Sequence, residues 1–458
     1  MIRIELTQRD FTLYNHNKSL SLIFNRTMSQ KIGQLHWEST ESNWANKSSG
    51  QSLSSWFRDL QEPLKFKKLA ENISVDVAIV GGGIAGVTTA FLVSRTGKRV
   101  ALLEDGYIGS GETGRTTAHI THALDDRYYS IAKKHGENGA KLAAESHTAA
   151  MEFIGRLVRE ESIDCEYERL NGYLFLDTND KKSTLEKELN ALKNAGISGA
   201  KIIIKSPLES ADISPCIVFP DQAQFQPMLY LRGIAQNISR DGVQIFTQTH
   251  AQEIKKVNND TIIKTNDGYS VTAQSIVLAT NAPIVDKTSK IYDKQVAYRT
   301  YVIAVKIRKN SIPLALYWDT GNQKSIDHVK PYHYVRLQKI RDEDYDLLIV
   351  GGEDHKTGDI KSKIDFKSRF KRLQLWMKKI FAVEAPIEYA WSGQVMEPLD
   401  GLAFIGQNPG KEKNIFIATG DSGNGMTHGT IAGIILSDLI NGKKNPWTDL
   451  YDPSREVK

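Results

Sequence analysis

The chain has 458 residues, a mass of 51.3 kDa, 40% hydrophobic and 25% charged residues, and a net charge of +5 from 59 Lys and Arg against 54 Asp and Glu. That length predicts two or three domains, and so mild a charge, with no Lys/Arg-dense run, excludes nucleic acid as the expected partner. Two cysteines, Cys165 and Cys216, without CxxC or Cys–His spacing, and no apolar run of 18 residues, argue against a metal centre and a transmembrane segment and fit a reducing, cytoplasmic setting.

In chain order, residues 1–73 read as a polar leader, partly disordered, with Met28 as an alternative start. SLSLIF (Ser19–Phe24) is too short for a secretory core, and the weak mitochondrial-presequence character of Arg3, Lys18 and Arg26 is opposed by Glu5 and Asp10. Ser74–Val80 reads as a buried strand, Gly81–Gly86 as a turn, Val87–Thr96 as a helix and Lys98–Glu104 as the next strand, one βαβ unit. A long Ala-rich helix is expected over Asp126–Glu161. Cys165–Thr178 reads as a hairpin about Asn171-Gly172. Helices follow at Lys181–Ala195 and Gln226–Arg240, then short strands at Val243–Thr247, Ile254–Val257 and Thr261–Lys264. SIVLAT (Ser275–Thr280) and NIFIAT (Asn414–Thr419) read as buried strands, Ala297–Lys306 and Asp346–Val350 as strands on either side of PYHYVRL (Pro331–Leu337). Phe366–Phe381 reads as a Lys/Arg-rich helix with a solvated face, Gly429–Ile440 as a small-residue helix.

The turn VAIVGGGIAG (Val77–Gly86) carries a G-x-G-x-x-G pattern between a strand and a helix, with a carboxylate, Glu104, ending the second strand. Gly81 suits the tight turn, Gly83 close approach to a pyrophosphate and Gly86 helix–strand packing, with Glu104 for ribose hydroxyls. The helix start, Ile84 and Ala85 included, favours phosphate through its N–H groups and dipole. NAD or FAD turns on the rest. GDSGNGM (Gly420–Met426) follows a buried strand and opens a helix, which suits the carbonyl edge of a flavin.

From Ser74 to Lys443 the chain resembles the FAD-dependent amine and amino-acid oxidoreductases, the group of D-amino-acid oxidase, glycine oxidase and sarcosine oxidase. The resemblance rests on VAIVGGGIAG, LLEDG, GRTTAH (Gly114–His119), SIVLATNAP, WSG…PLDGLAFIG (Trp391–Gly406) and IFIATGDSGNGMTHG, in order. It is nearest a subset that often carries a C-terminal Rieske module. KNPWTDLYDPSR (Lys444–Arg455) resembles the start of that join, and the sequence holds no C-x-H…C-x-x-H, so the iron–sulfur carrier is not expected in it. The resemblance implies FAD held by Gly81, Gly82, Gly83, Ile84, Ala85, Gly86, Glu104 and Asp105, by Arg115, Thr116, Thr117 and Ala118, by the Thr249–Ala251 segment (Ala251 above all), by Thr280 and Asn281, and by Gly420, Asp421, Ser422, Gly423, Asn424, Gly425 and Met426. It implies Tyr332, Tyr334 and Arg336 on a substrate-facing strand. Glu353, Asp354 and His355 either line the pocket or form a polar loop, and His355 joins Tyr332, Tyr334 and Arg336 as a catalytic candidate. The tyrosines position the amine or simply pack a sheet. His119 and His428 are hydrogen-bonding or catalytic.

Two departures bear on chemistry. Glycine oxidase clamps a substrate carboxylate with the Arg of WSG-x-R-P, where this chain, WSGQVMEP, has Val395. An amino acid is then a poorer substrate unless Arg336 or Arg299 substitutes. The flavin-facing Lys of sarcosine oxidase falls near Ile349, which puts fast reaction with oxygen in doubt, and its flavin-linking Cys has no counterpart, so FAD is expected to be non-covalent.

The expected fold is α/β: a discontinuous Rossmann-like FAD-binding domain (74–150, 222–290 and 390–446), an inserted α+β substrate domain (151–221 and 291–389) on a mixed or antiparallel sheet, and a tail (447–458). The expected activity is oxidation of a C–N bond of a small amine or amino acid by hydride transfer to flavin N5, with hydrolysis of the imine. An electron-acceptor protein is a further expected partner. The alternatives are an FAD-binding assembly or partner-binding factor without turnover, and an NAD-linked dehydrogenase, which GDSGNGM speaks against.

Overall fold

The computed structural model describes residues 52–58, 60, 62–208, 213–257, 260–284, 290–322, 331–358, 366–410 and 413–457. The presequence and alternative-start expectations lie outside these residues. The βαβ unit is β1 (Ile73–Val80), α1 (Ile84–Ser94) and β2 (Val100–Leu103). There follow β3 (His119–Ile120), α2 (Tyr128–Glu160, broken at Gly136), β4 (Glu168–Phe175), α3 (Lys182–Asn194), β5 (Lys201–Ile203), β6 (Cys216–Gln224) and α4 (Pro227–Arg240). Next come β7 (Gln244–Phe246), β8 (Ala251–Val257), β9 (Asp260–Thr265), β10 (Ser270–Asn281), β11 (Gln295–Arg308), β12 (Leu316–Asp319), β13 (Tyr334–Gln338) and β14 (Tyr345–Lys356). The chain closes with α5 (Phe366–Phe381), β15 (Ile387–Pro398), β16 (Phe404–Gln407), β17 (Ile415–Thr419) and α6 (Gly425–Ile440).

The first sheet runs β16-β17-β10-β1-β2-β7, with β8 and β9 as an antiparallel arm on β10. Its central strands are parallel. Parallel strands are covered on both faces and read as continuous apolar runs. That is why Val77, Ala78 and Ile79 on β1 and Ile276, Val277 and Leu278 on β10 are all buried. The small residues of α6 let it lie on α1: a Cβ on Gly429 would stand 2.6 Å from Ile84 Cγ2, and one on Gly433 2.5 Å from Thr88 Cγ2. This contact sets the two glycine-rich helix starts side by side.

The second sheet runs β15-β11-β14-β13-β12-β4-β6-β3, with β5 on β6. It is antiparallel except for β12 with β4. Alternation divides its faces. Val302, Ala304, Leu347 and Ile349 face the main core, whereas Tyr301, Ile303, Leu348 and Val350 pack in a second cluster with Leu373, Met377 and Phe381 of α5. The lysines of α5 lie exposed on its other side. Residues 165–178 hold one strand, β4, rather than a hairpin. Asn171-Gly172 marks an irregularity against β6, and a Cβ on Gly172 would stand 2.5 Å from Trp318 Cζ3, so this glycine admits a large ring instead of making a turn.

Two segments cross between the sheets. β3 continues from GRTTA and pairs with β6, His119 opposite Gln224. β15, which carries WSG, pairs along β11 in the second sheet, so residues 387–398 join that sheet and only β16 and β17 return to the first. Trp391 Nε1 donates to the Arg115 carbonyl at 2.8 Å and ties the two crossings together.

Candidate active site

A cavity of about 470 Å³ opens where the parallel strands end and reaches the main-core face of the second sheet. Its nucleotide end is built mainly of backbone. Gly81 sits at φ +112° and a Cβ there would stand 2.2 Å from the Ala279 carbonyl oxygen. Gly82, Gly83, Ile84 and Ala85 line the cavity; Gly83 opens α1 without a side chain of its own to cap it, and Ile84 N–H donates to Thr113 Oγ1 at 3.1 Å, which leaves the next N–H groups of the first turn for phosphate. Gly86 lies behind the lining: a Cβ there would stand 1.9 Å from the Gly81 carbonyl oxygen. Glu104 lines the wall and accepts from Gly82 N–H at 2.7 Å and Gly106 N–H at 2.8 Å, so it braces the turn. A carboxylate has about four acceptor sites, which leaves room for ribose hydroxyls. Asp105, Thr249, His250, Ala251, Thr280 and Asn281 continue the wall. Asn281 stands at φ +63°, a left-handed position that Asn tolerates.

The second turn, Gly420–Met426, lines the cavity except for Ser422, whose hydroxyl lies between Asp126 (2.7 Å) and Glu397 (2.8 Å). Asn424 caps α6 without a side-chain bond, so that helix start is also open. Asp421 Oδ1 is enclosed with no hydrogen-bond partner, and burial, then the Glu112 charge, pushes its carboxyl up to about 7. An acceptor waiting for a donor beside two open helix starts fits FAD, whose phosphates and isoalloxazine edge supply both kinds of partner.

Arg115, Thr116 and Thr117 line the cavity, and Ala118 does not. Arg115 Nη1 donates to the carbonyls of Ser52 (2.8 Å) and Ser392 (3.3 Å). Ala118 stands at φ +58°, and its carbonyl accepts from Arg336. Arg336 is the one catalytic candidate that the structure buries beneath this segment: it is 2% exposed and lies outside the lining. Its Nη1 donates to the carbonyls of Thr117 (3.1 Å), Ala118 (3.0 Å) and Phe225 (2.9 Å), and its guanidinium lies 5.1 Å from the Trp56 ring centre. Burial lowers its pKa to about 9. Alternation does put Tyr334 and Arg336 on one face, but the second residue falls about 7 Å further along the strand and past the cavity.

Tyr332 and Tyr334 do line the cavity, with ring centres 5.5 Å apart, together with Trp318, Thr300 and His119. The Tyr332 hydroxyl donates to Asp125, and Tyr334 and Thr300 hydroxyls share a bond of 2.6 Å. A register shift against β11, with Gly352 and Glu353 at positive φ, reverses the alternation of β14, so that Asp354 turns to the cavity and His355 to the opposite face, where it stacks on Tyr301 at 5.7 Å. His355 is therefore outside the lining as well. Burial raises the Asp354 carboxyl to about 6 and the Asp125 carboxyl to about 7, in each case against a hydrogen bond that favours ionisation. Glu397, also in the lining, is pushed well above its usual range by burial and by the charge of Asp126. Burial lowers His119 to about 3 and His428 to about 4, so both are neutral. His119 sits within reach of Thr117 Oγ1 (2.9 Å), and His428 Nδ1 of the Asp421 carbonyl (2.7 Å), a hydrogen-bonding arrangement in both cases. Asp125, Thr300, Trp318 and Glu397 were not singled out from the sequence, since a lone acid or aromatic belongs to no motif. Cys165 and Cys216 are free, buried and outside the lining.

A glycine-turn nucleotide site facing a tyrosine-lined sheet defines a flavin-type oxidoreductase. The model of the DAO family, FAD dependent oxidoreductase, matches residues 76–439, and the chain belongs to this family, with FAD as its cofactor. A Bacillus subtilis (strain 168) protein, YhfW, described as a Rieske 2Fe-2S iron-sulfur protein, is 30% identical over 390 residues, covering 85% of this chain and 73% of the relative. Gamma-glutamylputrescine oxidoreductase of Escherichia coli (strain K12) is 24% identical over 383 residues, 82% of this chain and 86% of that one. The crystal structure of glycine oxidase from Geobacillus kaustophilus superposes with a TM-score of 0.67 at 17% identity, covering 84% of this chain and 100% of that one, which establishes the likeness of fold.

Proposed function

We propose that the protein oxidises the C–N bond of a small amine or amino acid. The observation that carries this reading is a single cavity running from the two glycine-rich helix starts to the Asp125, Tyr332 and Tyr334 wall. Relatives named glycine oxidase and gamma-glutamylputrescine oxidoreductase support it. FAD, when bound, supplies the two-electron acceptor. Gly81–Ala85, Thr116, Thr117, Thr280, Gly420, Asp421 and Gly423–Met426 would hold it. The amine must be neutral before its C–H bond can yield a hydride. Asp125, with a carboxyl near neutrality, accepts the ammonium proton at Oδ, and the Tyr332 hydroxyl holds that carboxylate in place. The imine then hydrolyses in water.

A protein carrier is the second half-reaction we favour. The relative described as a Rieske iron–sulfur protein supports it, and among the described residues no lysine lines the cavity to favour an anionic oxygen product. Two free cysteines support a cytoplasmic setting. Among the described residues no helix is long and apolar enough to cross a membrane.

The test is anaerobic. The yellow holoenzyme is mixed in turn with amines, N-methyl amino acids and D-amino acids while the flavin absorbance is followed. Bleaching by one class supports the reading. A flavin that dithionite reduces and none of these compounds does would overturn it.

A further inference from the structure

We propose that the substrate is an amine with a second positive charge and no carboxylate, and that Asp354 receives the remote charge. The proposal rests on the amine-oxidising reading of the same cavity.

Charge at the sheet end of the cavity points one way. Val395 lines the wall where an arginine would clamp a carboxylate. Arg336 is turned beneath the GRTTA segment, and Arg299 donates to Ser392 Oγ at 3.1 Å, outside the lining. Arg115 lies on the nucleotide side and is bonded to carbonyls of Ser52 and Ser392. His119 and His428 are neutral. Against these stand the carboxyls of Asp125 and Asp354, with Glu397 also in the wall. Two further cations act on Asp354 from outside the lining, but His333 is bonded to Asp319 at 2.7 Å and Arg369 donates to the Glu353 carbonyl at 2.6 Å. A substrate carboxylate would enter among like charges with no cation of the lining at the sheet end to pair it, a costly arrangement in a desolvated site.

The two acids are not equivalent. Asp125 lies against the second glycine turn: a Cβ on Gly423 would stand 2.2 Å from its Oδ2, and the Tyr332 hydroxyl bonds it. That places Asp125 at the reacting end. Asp354 comes from β14; the Thr300 hydroxyl favours its ionised form, while its Oδ1 is shielded from solvent with no hydrogen-bond partner. An enclosed acceptor of that kind costs free energy until a donor reaches it. An ammonium supplies three donors and a charge. The rings of Tyr332 and Tyr334, each within electrostatic reach of both acids, and Trp318 in the same lining favour a cation over a neutral group. A metal ion is a poor rival, because among the described residues no three His, Cys, Asp or Glu side chains are placed to hold one.

Three probes of one chain length separate the possibilities: 1,4-diaminobutane, butylamine and 4-aminobutyrate, whose far ends are cationic, neutral and anionic. The holoenzyme is titrated with each by calorimetry, and anaerobic flavin reduction is followed in parallel. The expected order is diamine over butylamine by about tenfold in affinity, with 4-aminobutyrate weakest. Asp354→Asn, checked for retained flavin absorbance, should bring the diamine-to-butylamine ratio to within about twofold. Should that variant lose its flavin, Asp354→Glu keeps the charge and should keep the order. Tightest binding by 4-aminobutyrate, no binding by any probe, or an unchanged ratio in Asp354→Asn overturns the proposal. Diamine preference in binding without any bleaching supports the proposal and counts against the oxidation reading alone.

Discussion

The two ends of the cavity recognise their ligands by different means. The nucleotide end uses main chain: glycines that bring peptide groups close, and two helix starts whose N-cap residues give no side-chain cap. The sheet end uses side chains, Asp125, Trp318, Tyr332, Tyr334 and Asp354, delivered from loops and strands far apart in sequence. Backbone recognition tolerates almost no change of shape but little depends on charge. Side-chain recognition tolerates shape changes better and depends on protonation. Substitutions at the two ends should therefore fail in different ways.

The largest effect is expected at Arg336, which belongs to neither end yet supports the segment between them. Arg336→Met leaves the carbonyls of Thr117, Ala118 and Phe225 without their shared donor in the interior. A loss of about 3–5 kcal/mol in urea unfolding is expected, with flavin content falling in step. A variant that kept its stability and flavin and changed only KM would put Arg336 back in contact with substrate.

Next is the protonation-dependent end. Asp125 works as carboxylate, so the rate of flavin reduction by an amine should rise as pH passes upward through about 7, where burial has moved its carboxyl. The groups that set this point are Tyr332 and Arg127, which favour ionisation, and Asp126 and Asp354, which oppose it. Asp125→Asn should lower the rate about 10²-fold and remove that limb. A limb that persists in the variant would belong to the amine itself. At the other end, Gly86→Ala should cost about 1–3 kcal/mol, because a Cβ there meets the Gly81 carbonyl and α1 must shift. Here the readout is flavin content, with no change in the shape of the pH profile.

The same contrast explains what could be read from the sequence. The nucleotide end was legible because its chemistry is local: a strand, a glycine pattern and a helix within one short stretch specify where N–H groups point. GDSGNGM was legible for the same reason. At the sheet end, Tyr332 and Tyr334 were found through a resemblance, but the strand period alone could not say that Arg336 lies beyond the cavity or that His355 faces Tyr301. The first depends on where the GRTTA segment lies against the sheet, the second on the register shift of β14 at Gly352 and Glu353. Asp125 carries no pattern at all; only the approach of Gly423 and Tyr332 gives it a setting. Asn171-Gly172 misled because Asn-Gly signals a turn only when nothing larger needs the space, and here Trp318 does.

The smallest effect is expected where the two ends meet, at Glu397. The Ser422 hydroxyl lies within bonding distance of both Asp126 and Glu397, and it has one proton to give. One of the two carboxyls must therefore carry a proton and donate it back. Burial and the Asp126 charge raise Glu397, which makes it the proton carrier. Glu397→Gln keeps the shape and the donor, so it should change stability by less than about 1 kcal/mol near the acid end of the range. The sign with pH follows from linkage. A carboxyl raised in the folded state binds more protons there than in the unfolded chain, so its contribution is full below the unfolded value and is lost as pH rises toward the folded one. The wild type should lose ground to Glu397→Gln as pH rises from 5 to 6, by at most about 1.4 kcal/mol. Urea melts at both pH values measure this. Equal slopes would mean that Glu397 is ionised and that the proton between the turn and the sheet sits on Asp126.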